Sequence, residues 1–458
     1  MKTSNQNAAK MKNIFLLLMT GIILGGCYNG SRGELVGVQS RQAHYQSDPY
    51  GMNYIHLGSF TMGPGDRNVP YLHDSRPRTV TVGSFYIDAE EISNNEYRQF
   101  TNWVKDSIAH VILGEAGIGE HIIEVDAYGE DIDPPTINWD EEIEWEEPEV
   151  REELIDMYLP EHERFYRRKE IDTRNLKFEY YWVNLQAAAS KEGKDLDLSY
   201  TNVLGHNNSI RGHVDRSQFV IKEVINIYPD TLCWVHDFTY AFNEPMTEMY
   251  FWHPAFDDYP VVGVTWQQAK AFNVWRSQLI DGQQQSSGEA FVNRFRLPTE
   301  TEWEFAARGG LELAPYPWGG PYIRNKQGCP LANFKVGRGD YVDDDGFYTV
   351  VTYQYNPNGY GLYNMSGNVA EWTSTAYDES NYEFFHDMNP EYTYHAMKDD
   401  PPALKRKVIR GGSWKDVQFY LQVGTRTFEY QDTAKSYIGM RSVMGYLGRG
   451  KADNDRYY

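Results

Sequence analysis

Arg296-Leu297-Pro298-Thr299-Glu300-Thr301-Glu302-Trp303 announces a helix. Thr299 and Glu302 have the spacing of a capping box, in which an N-cap hydroxyl and the N3 carboxylate satisfy each other's orphan backbone N–H groups. Trp303, Phe305, Ala306 and Ala307 supply the apolar content that follows, and Gly309-Gly310 stops the helix. The same signature recurs on the N-terminal side: Thr265-x-x-Gln268 precedes Ala269, Phe272 and Trp275, and Ser93-x-x-Glu96 precedes Tyr97, Phe100, Trp103 and Val104. All three read as short helices. Strands lie before and between them. Tyr54 to Gly63 reads as a strand, a glycine turn and a second strand, and Arg78 to Tyr86 alternates with the period of a half-buried strand. Tyr180–Val183 and Phe219–Val224 read as two more. Short helices among strands and Gly/Pro loops predict an α+β body with much irregular structure, and no repeat of solenoid period is present.

Composition narrows the function. The 458 residues carry 43 Lys+Arg against 65 Asp+Glu, a net charge of −22, which argues against a nucleic-acid partner because phosphate binding needs clustered cations. A mean hydropathy of −0.63 excludes a multispanning membrane protein, and 41% hydrophobic residues exclude a wholly disordered chain. Three cysteines exclude a disulfide-rich scaffold; Cys233 and Cys329 either pair or remain buried free thiols. Lys10 and Lys12 precede an apolar run from Ile14 to Leu24, shorter than the ~20 residues of a membrane span and fitting a signal-peptide core. The run ends in Leu24-Gly25-Gly26-Cys27, which resembles a bacterial lipobox. Residues 1–26 are then a signal peptide, Cys27 carries the lipid (diacylglyceryl plus an acyl chain such as palmitate), and 27–48 form a polar tether. Tyr28, with no acid beside it, favours the outer membrane.

Seven blocks then carry a family resemblance: Gly58-Ser59-Phe60-Thr61-Met62-Gly63, Glu91-Ile92-Ser93-Asn94-Asn95-Glu96-Tyr97, Pro260-Val261-Val262-Gly263-Val264-Thr265-Trp266, the Arg296–Trp303 stretch, Tyr316-Pro317-Trp318-Gly319, Gly367-Asn368-Val369-Ala370-Glu371-Trp372 and Arg410-Gly411-Gly412-Ser413-Trp414. In this order they resemble the formylglycine-generating enzyme (sulfatase-modifying factor) domain, spread over 49–103 and 250–446. The resemblance implies a variant of the C-type lectin-like fold. Enzymes of that family use two cysteines, five apart, shortly after Arg-Gly-Gly-Ser. Here those positions are Asp416 and Leu421, neither of which replaces a thiolate nucleophile or soft metal ligand, so the expectation is a non-catalytic protein without a catalytic cofactor. The resemblance also implies structural Ca²⁺: one site from Asn364, the carbonyls of Gly367 and Val369, and Glu371, and a second from Asn333, the Phe334 carbonyl, Asp345 and the Phe347 carbonyl. Hard oxygen donors suit Ca²⁺.

Residues 104–249 form an insertion that the resemblance does not explain, and 447–458 a polar tail. Between Trp139 and Glu153 nine acids face Arg151 alone. A solvated charged face is the ordinary reading of such a run. Trp139 and Trp145 among the acids, with Glu146, Glu147 and Glu149, instead suggest a surface for a basic partner. Lipobox, altered formylglycine-type domain and aromatic insertion together resemble the gliding-motility lipoproteins. The Met62–Asp66, Val69–Tyr71, Arg76–Val80 and Asn94–Phe100 segments are similar to the GldK/PorK branch rather than GldJ. That resemblance implies an outer-membrane lipoprotein facing the periplasm, self-associating in a ring with a GldN/PorN-type partner in the type IX secretion system. Two other classes remain: a lipid-anchored lectin-like binding module, and an active oxidase or sulfoxide synthase. Against the last, no His-x-x-x-His spacing occurs.

Overall fold

Three capping boxes form in the computed structural model as the sequence predicts, each with both reciprocal hydrogen bonds. The structure describes residues 48–65, 76–126, 128–189, 217–241, 244–288, 292–337, 342–343 and 346–447. The signal peptide, Cys27, all but the end of the tether, Asp66 to Ser75, Asp345 and the tail beyond Leu447 lie outside the described residues. Among the described residues no helix is long and apolar enough to cross a membrane.

Two of the three helices are longer than predicted. α1 runs Asn94–Ala116 and ends at Gly117 in the left-handed region. The expected domain boundary at 103/104 therefore falls inside a helix. The cause is tertiary: Ala109 and Leu113 of its second half bury against Val150, Leu154 and Met157 of the insertion, which come from the short helix α2 (Pro148–Glu153) and the turn after it. α3 spans Trp266–Ser287. α4, Glu300–Arg308, is the short one, stopped by Gly309 at φ 57°.

Two four-stranded sheets frame these helices. The first orders β1 (Met52–Ile55), β4 (Phe85–Asp88), β14 (Val443–Gly445) and β9 (Phe295–Arg296). The second orders β12 (Thr427–Tyr430), β11 (Arg406–Arg410), β10 (Ala370–Ala376) and β13 (Ile438–Gly439). Three hairpins are added: β2 (Gly58–Met62) with β3 (Arg78–Val82), β5 (Ile122–Val125) with β6 (Asp131–Ile137), and β7 (Lys177–Val183) with β8 (Val220–Asn226). The alternating run Arg78–Tyr86 is thus two strands, broken at Gly83-Ser84, and β3 and β4 join different sheets. The largest apolar core combines Tyr97 and Phe100 of α1, Phe272 and Trp275 of α3, Trp372 of β10, and Phe178 and Tyr180 of β7. The insertion hairpin is therefore part of the main core. Cys233 is a buried free thiol, whereas Cys329, expected buried if unpaired, is free and exposed.

Lys407 is a charged group inside this packing. It is fully buried on β11, with its ammonium 4.0 Å from the ring centre of Trp266 and donating to the Tyr394 carbonyl. Burial, then the nearby Lys270 ammonium, pull its pKa from 10.5 down to about 7. A lysine depressed in this way binds fewer protons folded than unfolded across that window, so the folded state gains stability as pH rises from about 7 toward 10.5. Lys407→Met keeps the length and removes the charge. It is expected to stabilise the protein by roughly 1–4 kcal/mol near neutral pH, with most of the gain gone by about pH 10; urea midpoints at the two pH values measure the difference.

Candidate functional site

Between β10 and the preceding loop the backbone is folded unusually tightly. Asn364 and Asn368 adopt positive φ of 51° and 64°, and Gly367 stands at 86°. A Cβ on Gly367 would lie 2.3 Å from the Asn333 carbonyl oxygen, so only glycine permits this approach. The Asn368 N–H donates to that same oxygen at 2.9 Å. Asn333, Asn364, Gly367, Asn368 and Val369 are thereby drawn into one buried, polar neighbourhood.

Its electrostatics centre on two carboxyls and one guanidinium. Glu371, the first residue but one of β10, is 1% exposed; Trp303 Nε1 donates to its Oε2 at 2.8 Å, and Arg441 donates through Nε and Nη2 at 2.9–3.1 Å. Arg441 is itself fully buried and also donates to the carbonyls of Asp88, Ala89 and Tyr363. The second carboxyl is Glu91, whose Oε2 accepts from Asn364 Nδ2 at 3.1 Å and Asn368 Nδ2 at 2.7 Å. Burial, and next the proximity of Glu371, raise the Glu91 pKa to about 8.

The first expected Ca²⁺ set is only partly supported by this geometry. Asn364 suits the role: its side-chain oxygen is buried without a hydrogen-bond partner. Glu371 as placed does not, because Arg441 already neutralises it, and the carboxyl facing Asn364 is Glu91. Asn364 and Glu371 thus bond to different carboxyl and guanidinium partners, Glu91 and Arg441. At the second set Asn333 and Phe334 are buried and Phe347 is 53% exposed, while Asp345 lies outside the described residues. Among the described residues no group of three His, Cys, Asp or Glu side chains converges as a metal site. Glu91 sits within one of the family-like sequence blocks, and its one local signal is an acid directly before the apolar Ile92.

Beyond this loop, β11 ends in Arg410 and leads through Gly411-Gly412 to the turn holding Asp416 and Leu421. Ser413 Oγ donates to Asp416 Oδ2 at 2.6 Å, and burial raises the Asp416 pKa. Leu421 is fully buried among Tyr316, Ala332, Phe334 and Val336, and its carbonyl accepts from Ser366 Oγ at 2.7 Å. One position carries a carboxylate that caps its own turn, and the other fills a hydrophobic pocket. The Cys233 thiol is pushed well above its ordinary pKa, chiefly by burial, the opposite of what a reactive thiolate requires.

The acidic surface is divided by the fold. Trp139 stacks on Trp103 with ring centres 5.1 Å apart, and Trp145 is half-buried beside α1 with the Lys105 ammonium 4.8 Å from its ring. Much of each indole is thus spent on packing. Glu146, Glu147 and Glu149 are exposed, and Arg151 lies 3.9 Å from Glu146.

Arg441→Met would leave Glu371 buried and unpaired, and is expected to cost about 3–5 kcal/mol. Adding Glu371→Gln in the same chain should recover part of that loss, giving a coupling of about 1–3 kcal/mol in a double-mutant cycle read by urea denaturation.

Known proteins share part of this sequence. The inactive Cα-formylglycine-generating enzyme 2 of Bos taurus is 33% identical over 195 residues, covering 41% of this chain and 51% of that protein. The formylglycine-generating enzyme of Thermomonospora curvata is 32% identical over 191 residues, covering 40% of this chain and 55% of that one. The chain spans about half the length of the curated relatives it matches. Among solved structures, PvdO from Pseudomonas aeruginosa aligns with a TM-score of 0.41 and 16% identity over 89% of this chain and 100% of that chain. The family model described as the sulfatase-modifying factor enzyme 1-like domain matches residues 39–445, and the chain belongs to that family.

Proposed function

We propose that this protein is a non-catalytic member of its family, anchored to the outer membrane through lipidated Cys27 and serving as a structural ring component of type IX secretion and gliding machinery. The observation that carries the non-catalytic half is the turn after Arg410: Asp416 is tied to Ser413 and Leu421 is fully buried, so the two positions that the family resemblance assigns to thiols hold a cap and a core residue. Relatives described as inactive support the same reading. The secretion half rests on the lipobox and on the similarity of the Met62–Phe100 segments to the GldK/PorK branch. The exposed glutamates 146, 147 and 149 supply a face for a basic region of a GldN/PorN-type partner.

Gentle detergent extraction of native outer membranes, followed by size-exclusion, mass spectrometry and negative-stain microscopy, tests the proposal. A large ring containing this chain and one principal partner is expected; a small, partner-free particle rejects it and returns attention to a lectin-like binding module. Labelled palmitate should enter the wild type and not Cys27→Ser. Reversing Glu146, Glu147 and Glu149 to Lys should weaken co-purification of the partner by about tenfold or more, with the fold intact by circular dichroism.

A further inference from the structure

Where the insertion hairpin leans on the body of the protein, a cavity of about 340 Å³ opens between β7, α3 and the segment 393–395. That volume is within the roughly 300–1,000 Å³ typical of small-molecule sites. Its walls include the rings of Trp182, Trp266, Tyr394 and His395, with Lys270 and Asn273 among the polar groups. We propose that this cavity binds a small organic carboxylate bearing a flat ring, with the carboxylate at Lys270 and the ring against the indoles. The site is separate from the loop at Asn364 and the turn at Asp416, and the proposal stands whether or not the protein builds a secretion ring.

Charge points to an anion. Lys270 Nζ lies 3.0 Å from His395 Nδ1, and the other imidazole nitrogen, Nε2, is 3.4 Å from Glu223 Oε2, which also accepts from Tyr180 OH at 2.7 Å. A neutral imidazole satisfies both ends, accepting from Lys270 and donating to Glu223. This matches a His395 pKa lowered chiefly by burial. The Lys270 ammonium stands 4.9 Å from the Trp266 ring centre and 5.3 Å from that of Trp182, with Lys407 on the same indole of Trp266 at 4.0 Å. Glu223 is the carboxylate whose charge acts on Lys270, through the intervening His395, while Lys407 donates to the Tyr394 carbonyl and adds a second positive group beside Lys270. At the other end of the cavity Arg296 is bidentate to Glu302, with Glu391 alongside, so the positive excess is confined to the Lys270 corner. Burial lowers the Lys270 pKa to about 8, as an ammonium lacking a close counter-ion should behave. A carboxylate would supply that counter-ion in a low-dielectric setting, where pairing is strongest.

Hydrogen-bonding capacity points the same way. Asn273 and Trp182 both line the cavity, and among the described residues the buried Asn273 side-chain oxygen has no donor and the buried Trp182 indole N–H no acceptor. Unmatched buried groups of this kind are destabilising until a partner reaches them. A ligand with both an acceptor carboxylate and an N–H or O–H donor answers both.

Indole-3-acetate carries a carboxylate, a flat ring and one N–H, and indole-3-acetamide is its neutral isostere. Calorimetric titration of the full-length protein should show the acetate binding at least about tenfold more tightly than the acetamide, with Lys270→Met weakening the acetate by about tenfold and Lys270→Arg by less than about threefold. Equal binding of the two probes, no binding of either at about 10 mM, or unchanged binding by Lys270→Met overturns the proposal. Should Lys270→Met fail to fold, reductive methylation of the wild type decides: the acetate is expected to slow modification of Lys270 selectively and the acetamide not, and equal protection by both, or none, rejects the site.

Discussion

Two glutamates one helical turn apart, Glu300 and Glu304 on α4, hold the fold together from within. Glu304 is wholly buried and receives Arg308 through its Oε1 at 2.5 Å, Arg410 through its Oε2, and the Gly63 backbone N–H at 2.8 Å. Glu300 receives Arg426 at 2.6 Å and Tyr382 OH at 3.1 Å, with Arg410 Nε at 3.6 Å. The guanidiniums complete their own bonding on backbone carbonyls: Arg308 to Gly63 and Ala314, Arg410 to Thr425, Arg426 to Asp378. A buried ionic network is stabilising only when almost every member is satisfied, and removing one member leaves charge stranded in low dielectric. Here it joins the β2 end, α4, the end of β11 and the segment entering β12, four pieces of chain far apart in sequence.

That arrangement explains why scattered sequence blocks carry the family signal. Gly63, Glu300, Arg410 and the helix holding Trp303 belong to those blocks, and each is a member or a neighbour of one desolvated cluster. A substitution within it must be matched elsewhere. The turn at 416–421 lies past Gly411-Gly412, outside the network. Asp416 bonds its own turn and Leu421 packs on Tyr316 and Phe334. The side-chain contacts of these two residues are thus made within their own turn and with Tyr316 and Phe334, not through the carboxylates of α4.

Local rules were legible in the sequence and long-range pairings were not. Capping boxes at Ser93, Thr265 and Thr299 could be read because donor and acceptor are three residues apart. The length of α1 could not, since its second half is held by Val150 and Leu154, whose contribution depends on the insertion folding back. Trp139 reads as interface because acids surround it in sequence, yet its ring partner Trp103 is in α1. The family resemblance implies Glu371 as a metal ligand, and only the fold shows Arg441, 70 residues away, donating to it. The cavity at Lys270 assembles Glu223, Lys270 and His395 from three separate segments, and no spacing within one segment could have indicated it.

The insertion is best understood as half core and half surface. Phe178 and Tyr180 bury into the same cluster as Tyr97 and Trp372, while Val150, Leu154 and Met157 close over Ala109 and Leu113. The exposed glutamates 146, 147 and 149 are the outer side of that second contact. Their backbone is ordered by apolar packing, so in the proposed association with a basic partner no entropy of folding a loop would be subtracted from affinity. Charge fixed on a rigid base also keeps its field oriented, which favours encounter with a basic surface over a wrongly charged one. Apolar residues facing α1 and acids facing solvent are thus one device, in which the first set determines how the second is presented.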